Sequence, residues 1–279
     1  MLIKKEEPIK YKINQCIAAL KAKGVNIVTG VDIAPIDMGL WKYSIKQKKV
    51  LDMNVVSLHE WVEFKGKRPR CSALGPAMKT FLSIYSSYFD EADAIVIEQQ
   101  IAPSSFVSGI TASTDNMVIE SILLHNFPDK AVLISPRSVF KYIKEAFNIT
   151  DEKYKYNQKK KLYSDLSKVL IKPEEKVLMR RAEAHKKLTL KRGKTKKRSM
   201  VDIADAKFIA CYFIEKILET QNMIDWYLKD KTNLGKGFAI ENQKLVQQSI
   251  IQYTKTPPTK KRKKPPSKKK KLIPVLFVD

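Results

Sequence analysis

Three cysteines and three histidines in 279 residues leave little material for two common kinds of site. Cys16, Cys71 and Cys211 stand far apart, so the chain offers neither a C-x-x-C metal pair nor an even-numbered disulfide framework, and a reducing compartment is the expectation. His59, His125 and His185 are isolated from one another and from the cysteines, which argues against zinc and leaves each a surface or capping role. Long apolar runs are missing too. No stretch of about 18 apolar residues occurs, and Met1-Leu2-Ile3-Lys4-Lys5-Glu6-Glu7 lacks the apolar segment of a signal peptide. A soluble intracellular protein without a membrane span is expected. Acidic residues are also scarce, 29 against 53 Lys plus Arg, for a formal net charge of +24. Such an excess draws a chain toward a dense polyanion, nucleic acid first, with a membrane surface or an acidic protein as alternatives.

What is present reads as globular. Hydrophobic residues make up 44% and charged residues 29%, and the length accommodates one large domain with appendages. A short helix over residues 15–23 is stopped by Gly24, and residues 25–32, mostly apolar and β-branched, form a buried strand. Two further strands, over 40–46 and 49–57, meet in a hairpin at Gln47-Lys48. Apolar residues at three- and four-residue spacing predict a helix over 77–89. A short strand over 94–97 follows, then a helix over 114–126, a strand over 131–134, and a helix over 136–147 led by Pro136. The lysine-crowded stretch 151–199 reads as an insertion, helical around 162–170 and 174–185. Residues 200–218 resume a helix with a broad apolar face, and a last helix is expected over 241–253. The layout is α/β, with a five-stranded mixed sheet flanked by helices. It divides into an N-terminal extension (1–24), a main domain (25–220) containing the 151–199 insertion, a C-terminal helical segment (221–254) and a disordered basic tail (255–279).

Four carboxylates stand where apolar elements end or turn inward. Asp32 closes the first strand, Glu98 closes the 94–97 strand, and Asp202 and Asp205 open the helix over 200–218. Functional side chains of an open parallel sheet gather at the carboxyl ends of its strands, so Asp32 and Glu98 can meet there. A spacing of three puts Asp202 and Asp205 on one helix face. Four carboxylates aimed at one point ionise cheaply only around cations, and Mg²⁺ or Mn²⁺ suits a set of hard oxygen ligands. Two ions per site, Mn²⁺ substituting for Mg²⁺, would support in-line hydrolysis of a phosphodiester without a general-base histidine. Each residue also has a plainer role open to it: a turn or cap for Asp32, a strand-end charge for Glu98, and favourable placement near a helix N-terminus for Asp202 and Asp205.

In this order the residues resemble the motifs of the RuvC-like Holliday junction resolvases of the RNase H-like superfamily, and within them the poxvirus-type branch of large DNA viruses. Gly30-Val31-Asp32-Ile33-Ala34, with Gly39 seven residues after the aspartate, resembles the first motif, Ala34 standing at its earlier glycine. Ile95-Val96-Ile97-Glu98-Gln99-Gln100 resembles the second, and Ile134-Ser135-Pro136-Arg137-Ser138-Val139 the strand and proline-led helix that follow. Asp202-Ile203-Ala204-Asp205-Ala206 resembles the paired-acid motif. Asp37, in Ile36-Asp37-Met38-Gly39, is a rival for the first aspartate, but it follows a proline rather than a strand. The resemblance spans about residues 25–218 and implies an RNase H-like fold, a homodimer, Mg²⁺, and paired symmetric nicks in a four-way DNA junction.

Lys186, Lys187, Lys191, Arg192, Lys194, Lys196, Lys197 and Arg198 form a basic run without an acid, directly ahead of the Asp202 helix. It reads either as a clamp on DNA phosphates or as a solvated loop. The tail from 255 to 279 holds ten basic residues and one acid, so the remainder keeps +15. Within the tail, Lys260-Lys261-Arg262-Lys263-Lys264-Pro265 resembles a nuclear import signal, which for a viral protein points to host nucleus or cytoplasm. Tyr154, Tyr156 and Tyr163 lie among lysines, placed to stack on unpaired bases or to pack between helices. The expected function is therefore a structure-selective endonuclease acting on branched DNA, with no small-molecule cofactor. The alternatives are an RNase H-like nuclease acting on RNA–DNA hybrids or flaps, and a basic nucleic-acid-binding protein without activity.

Overall fold

Strands rich in valine and isoleucine on both faces need cover on both faces, and that demand organises the molecule. The computed structural model describes residues 9–35, 37–61, 71–100, 110–147, 162–163, 165–167, 170–189 and 199–228. In chain order the elements are α1 (Ile9–Lys23), β1 (Ile27–Asp32), β2 (Met38–Ser44), β3 (Lys49–Val56), α2 (Cys71–Ile84), α3 (Ser86–Phe89), β4 (Ala94–Glu98) and α4 (Ile110–Asn126). Then follow β5 (Ala131–Ile134), α5 (Pro136–Ala146), α6 (Pro173–Thr189), α7 (Ser199–Tyr212) and α8 (Met223–Leu228). A π-helical turn, Phe213–Ile217, continues α7. The expected helix over 241–253, residues 191–198 and the 255–279 tail lie outside the described residues.

The five strands form one sheet in the order β3-β2-β1-β4-β5. β1, β2 and β3 are antiparallel neighbours, whereas β1, β4 and β5 run parallel. This is the mixed, helix-flanked α/β sheet expected. One face carries Val28, Trp41, Tyr43, Val96, Val132 and Ile134, covered by residues of α1, α5, α6, α7 and α8. The opposite face carries Val31, Leu40, Ile95 and Ile97, covered by α2, α3 and α4. Leu162, Leu166 and Leu170, inside the lysine-rich 151–199 stretch, are buried in the first of these cores, and Ile171 is buried beside them in the chain. Among the described residues no helix is long and apolar enough to cross a membrane.

Two expected helices come out segmented. The helix expected over 77–89 is α2 and α3, broken at Tyr85, and lysines satisfy the carbonyls where α3 ends. Lys42 Nζ donates to Ser87 O (2.6 Å), and Lys130 Nζ donates to Phe89 O (2.7 Å) and Asp90 O (3.2 Å). The helix expected over 200–218 widens into the π turn, where Leu218 N donates to Phe213 O (2.8 Å). There Glu215 Oε2 accepts Tyr142 O–H (2.8 Å) and Met223 N–H (2.9 Å), joining α5 to the start of α8.

Helix α7 is keyed from the side by a buried ion pair. Lys207, 2% exposed, extends its ammonium to the Leu170 carbonyl and to Glu175 Oε2 of α6 (3.4 Å), over the ring of Tyr227 in α8. Tyr227 O–H donates to Glu175 Oε1 (2.5 Å), and the Lys172 N–H donates to Glu175 Oε2 (3.0 Å). Burial, ahead of the neighbouring carboxylate, pushes the Tyr227 hydroxyl pKa far up, so it stays a donor. A charge pair this deep needs further hydrogen bonds to balance its desolvation, and these supply them. The arrangement holds α7 in register on the sheet.

Candidate active site

The site is built from the carboxyl ends of two parallel strands. In the β1–β4 register Val31 pairs with Ile97, so the next residues along, Asp32 and Glu98, close neighbouring strands at the same level. Strands in a sheet lie about 4.8 Å apart, and side chains alternate between faces. Val31 and Ile97 belong to the α4 side, so Asp32 and Glu98 share the α7 side, with Val28 and Val96. Asp32 is 4% exposed and Glu98 half-buried. Two ionised carboxylates about 5 Å apart repel by roughly 3 kcal/mol at an effective dielectric of 20. A divalent cation shared by them reverses that sign.

Helix α7 brings the other two acids to this edge. On the far side of Asp32 from Glu98, β2 places Gly39 as its ladder partner. Gly39 has no Cβ to hold the helix off: the Asp202 carbonyl group lies where a Cβ would stand, and Ile203 N only 3.0 Å from that point. Two residues back along β1, Gly30 meets the carbonyl of Ala206 in the same way. A glycine in a strand interior commonly marks such an approach. Thus α7 starts over the Asp32–Gly39 pair and runs away from it. Asp202 is half-buried at this end, and Asp205 follows one turn along, 5% exposed. Asp32 and Glu98 therefore close neighbouring strands at one end of the sheet, with the α7 backbone at Asp202 beside Asp32 and Asp205 one turn farther along the helix. Asp37, the rival, sits in the β1–β2 connection with φ at 64°, just before β2.

At the exit of β4, Gln100 of the second motif meets two residues that the sequence did not single out, Asn116 and Glu120. Gln99 N still donates to Ile134 O of β5 (2.8 Å), but Gln100 turns toward α4. The Gln100 N–H donates to Glu120 Oε2 (2.6 Å), Asn116 Nδ2 donates to Gln100 Oε1 (3.0 Å), and Gln100 Nε2 donates back to Glu98 O (3.0 Å). Burial pushes the Glu120 carboxyl pKa up, and the Gln100 N–H draws it back down. On the same helix Asp115 is 5% exposed. A polar spacing of four in a helix, Asn116 and Glu120, was the available signal, but nothing local named its partner.

Carboxylate oxygens alone make up the donor set, the chemistry that Mg²⁺ and Mn²⁺ select. The donor type fits. Their grouping is looser: among the described residues no three Asp, Glu, His or Cys side chains form a group that could hold a metal ion. The described strand and helix ends bring Asp32, Glu98 and the Asp202 backbone side by side without closing the four carboxylates around one point. Of the basic run, Lys186 and Lys187 fall in α6 and their side chains are outside the description, as are Lys191, Arg192, Lys194, Lys196, Lys197 and Arg198. Tyr163 packs its ring near Phe140 and Phe208, which favours the helix-packing role for it, while Tyr154 and Tyr156 lie outside the described residues.

No family model and no curated protein matches the chain. Among solved structures it is similar to the yeast mitochondrial Holliday junction resolvase Ydc2, at 13% identity and a TM-score of 0.43, covering 84% of this chain and 90% of that one. It is also similar to T. thermophilus RuvC in complex with a Holliday junction substrate, at 14% identity and a TM-score of 0.36, covering 66% and 90%. A further Thermus thermophilus RuvC structure shares 14% identity with a TM-score of 0.35, covering 68% and 95%.

Proposed function

We propose that this chain is a divalent-cation-dependent endonuclease that resolves four-way DNA junctions by hydrolysing one phosphodiester in each of two opposed strands. The observation that carries the reading is the placement of Asp32 and Glu98 at the carboxyl ends of adjacent parallel strands, with α7 seated on Gly39 so that Asp202 joins them. The order and identity of the motif residues support it, and so does a net charge of +24.

Asp32 and Glu98 would hold a cation between the strand ends, with Asp202 and Asp205 as the further carboxylates; two ions per site, Mg²⁺ with Mn²⁺ as substitute, complete the proposal. A bound ion of this kind supplies an activated water and charge stabilisation at the leaving oxygen. The chain's own part is orientation. Asp32 is fixed by its ladder pairing with Gly39 of β2 and by the Val31–Ile97 pair immediately before it, and Asp202 by the backbone contact of α7 with β2. The basic run ends at Arg198, covalently joined to the first residue of α7, so it can hold backbone phosphates beside the carboxylates. Paired nicks in a two-fold symmetric substrate need two sites, hence a homodimer with one set of carboxylates per chain. The motif resemblance alone is the ground for proposing the poxvirus-type branch and a role in viral genome processing, and the basic segment 260–265 for proposing entry to the nucleus of a host cell.

The test is cleavage of an end-labelled synthetic four-way junction in Mg²⁺, beside linear duplex and an RNA–DNA hybrid. Two symmetric nicks in the junction, abolished by EDTA, are expected. Cutting of the hybrid alone would move the site to RNase H-type chemistry. Tight junction binding with no cutting in either Mg²⁺ or Mn²⁺ would leave only a basic binding protein.

A further inference from the structure

A carboxylate at a strand terminus is aimed by the two peptide units that flank it. On its N-terminal side Glu98 is held by the ladder, where Ile97 pairs with Val31 and Leu133. On its C-terminal side the ladder gives out after Gln99, and side chains of α4 take over. Gln100 is gripped at three points: its N–H by Glu120, its side-chain oxygen by Asn116, and, through its own Nε2, the carbonyl oxygen of Glu98. Asn116 and Glu120 are one helical turn apart, so both reach the same residue. Helix α4 is itself anchored on the opposite face of the sheet by Ile119 and Leu123, both fully buried. The Glu98 peptide is therefore fixed from behind by side chains of α4.

We infer that Gln100, Asn116 and Glu120 form a positioning clamp that directs the Glu98 carboxylate toward Asp32 and thereby supports cation binding. The inference rests on the nuclease reading. The clamp lies behind the strand end, on the side away from α7, so it governs how Glu98 is presented and not how DNA is held. Partners that orient a ligand typically change cation affinity or turnover by about 10–100-fold when lost.

The test uses the full chain and its Gln100→Ala, Asn116→Ala, Glu120→Ala and Glu120→Gln variants. Three quantities are measured: Mn²⁺ binding by titration calorimetry, junction affinity in EDTA, and kcat and KM for junction cleavage. Gln100→Ala and Glu120→Ala should raise the Mn²⁺ concentration for half-saturation and lower kcat, each by about 10–100-fold, with KM and EDTA affinity unchanged. Glu120→Gln keeps an acceptor oxygen for the Gln100 N–H and should recover most of both losses. Asn116→Ala removes one of the three grips and should fall between, and it serves in place of Gln100→Ala if that variant does not fold. An unmodified protein that binds Mn²⁺ and nicks, with alanine variants equal to it, overturns the clamp alone. So does a Glu120→Gln protein that falls as far as Glu120→Ala. An unmodified protein that neither binds Mn²⁺ nor nicks overturns the nuclease reading and the clamp together.

Discussion

Glu98→Gln is expected to lower the junction-nicking rate at least about 100-fold, equivalent to roughly 2.7 kcal/mol of transition-state stabilisation, while leaving junction affinity in EDTA unchanged. The substitution preserves shape and one acceptor oxygen but removes the negative charge that a hard cation needs from its ligand. Glu98 closes β4 with its side chain on the α7 side, half-buried and away from the apolar contacts of the opposite face, so the fold has little reason to weaken. Binding should persist because a large share of non-specific affinity for DNA comes from neutralising phosphates with lysine and arginine. Asp32→Asn should behave alike in nicking. Gel-based nicking rates and a salt-dependent binding titration read the two effects separately; a Glu98→Gln protein that nicks at the unmodified rate would remove Glu98 from the chemistry.

Gly39→Ala should be the most damaging single methyl group near the site. Its Cβ would collide with the carbonyl carbon and oxygen of Asp202 and lie 3.0 Å from Ile203 N, all of them backbone atoms that cannot swing aside. Overpacking of a tight core typically costs about 1–3 kcal/mol and occasionally more, and a backbone collision belongs at the upper end. Relief would require α7 to lift from β2, carrying Asp202 away from Asp32. Both the thermal midpoint and nicking should drop. Gly30→Ala meets the carbonyl of Ala206 in the same manner and should destabilise similarly, but farther from Asp202. Gly75, in α2 with nothing within 4 Å of a built Cβ, is the control: alanine there should be neutral or stabilise by up to about 1 kcal/mol. Equal midpoints for Gly39→Ala and Gly75→Ala would show that α7 does not press on β2 as described.

Much of this was legible because the strongest signals are local. The β-branched runs at 25–32 and 94–97 could only be buried strands, and their terminal acids were then at the correct end of a parallel pair. Gly39 could be noted by its spacing from Asp32, yet its reason, a helix backbone passing over the Asp32–Gly39 pair, depends on a register that spacing alone does not state. In the lysine-rich stretch, charge density masked an apolar row. Leu162, Leu166 and Leu170 recur every four residues and are buried, with lysine-rich sequence on both sides of the row. Lys42 and Lys207 were unreadable as buried residues, since what makes each tolerable lies far away in the chain, at Ser87 and Glu91 for one and at Leu170 and Glu175 for the other. The grip on Gln100 was hidden for the same reason: Asn116 and Glu120 acquire a partner only when α4 packs beneath β4.

The proposed nuclease depends on Asp32 and Glu98 holding the ion that the chemistry needs. Its most direct test is a crystal structure of the protein with Mn²⁺, with data collected at the manganese absorption edge. An anomalous peak is expected at about 2.0–2.2 Å from carboxylate oxygens of both Asp32 and Glu98, octahedrally completed by water or by Asp202 and Asp205. Manganese bound elsewhere, with Asp32 and Glu98 bare in a protein that still nicks junctions, would contradict it.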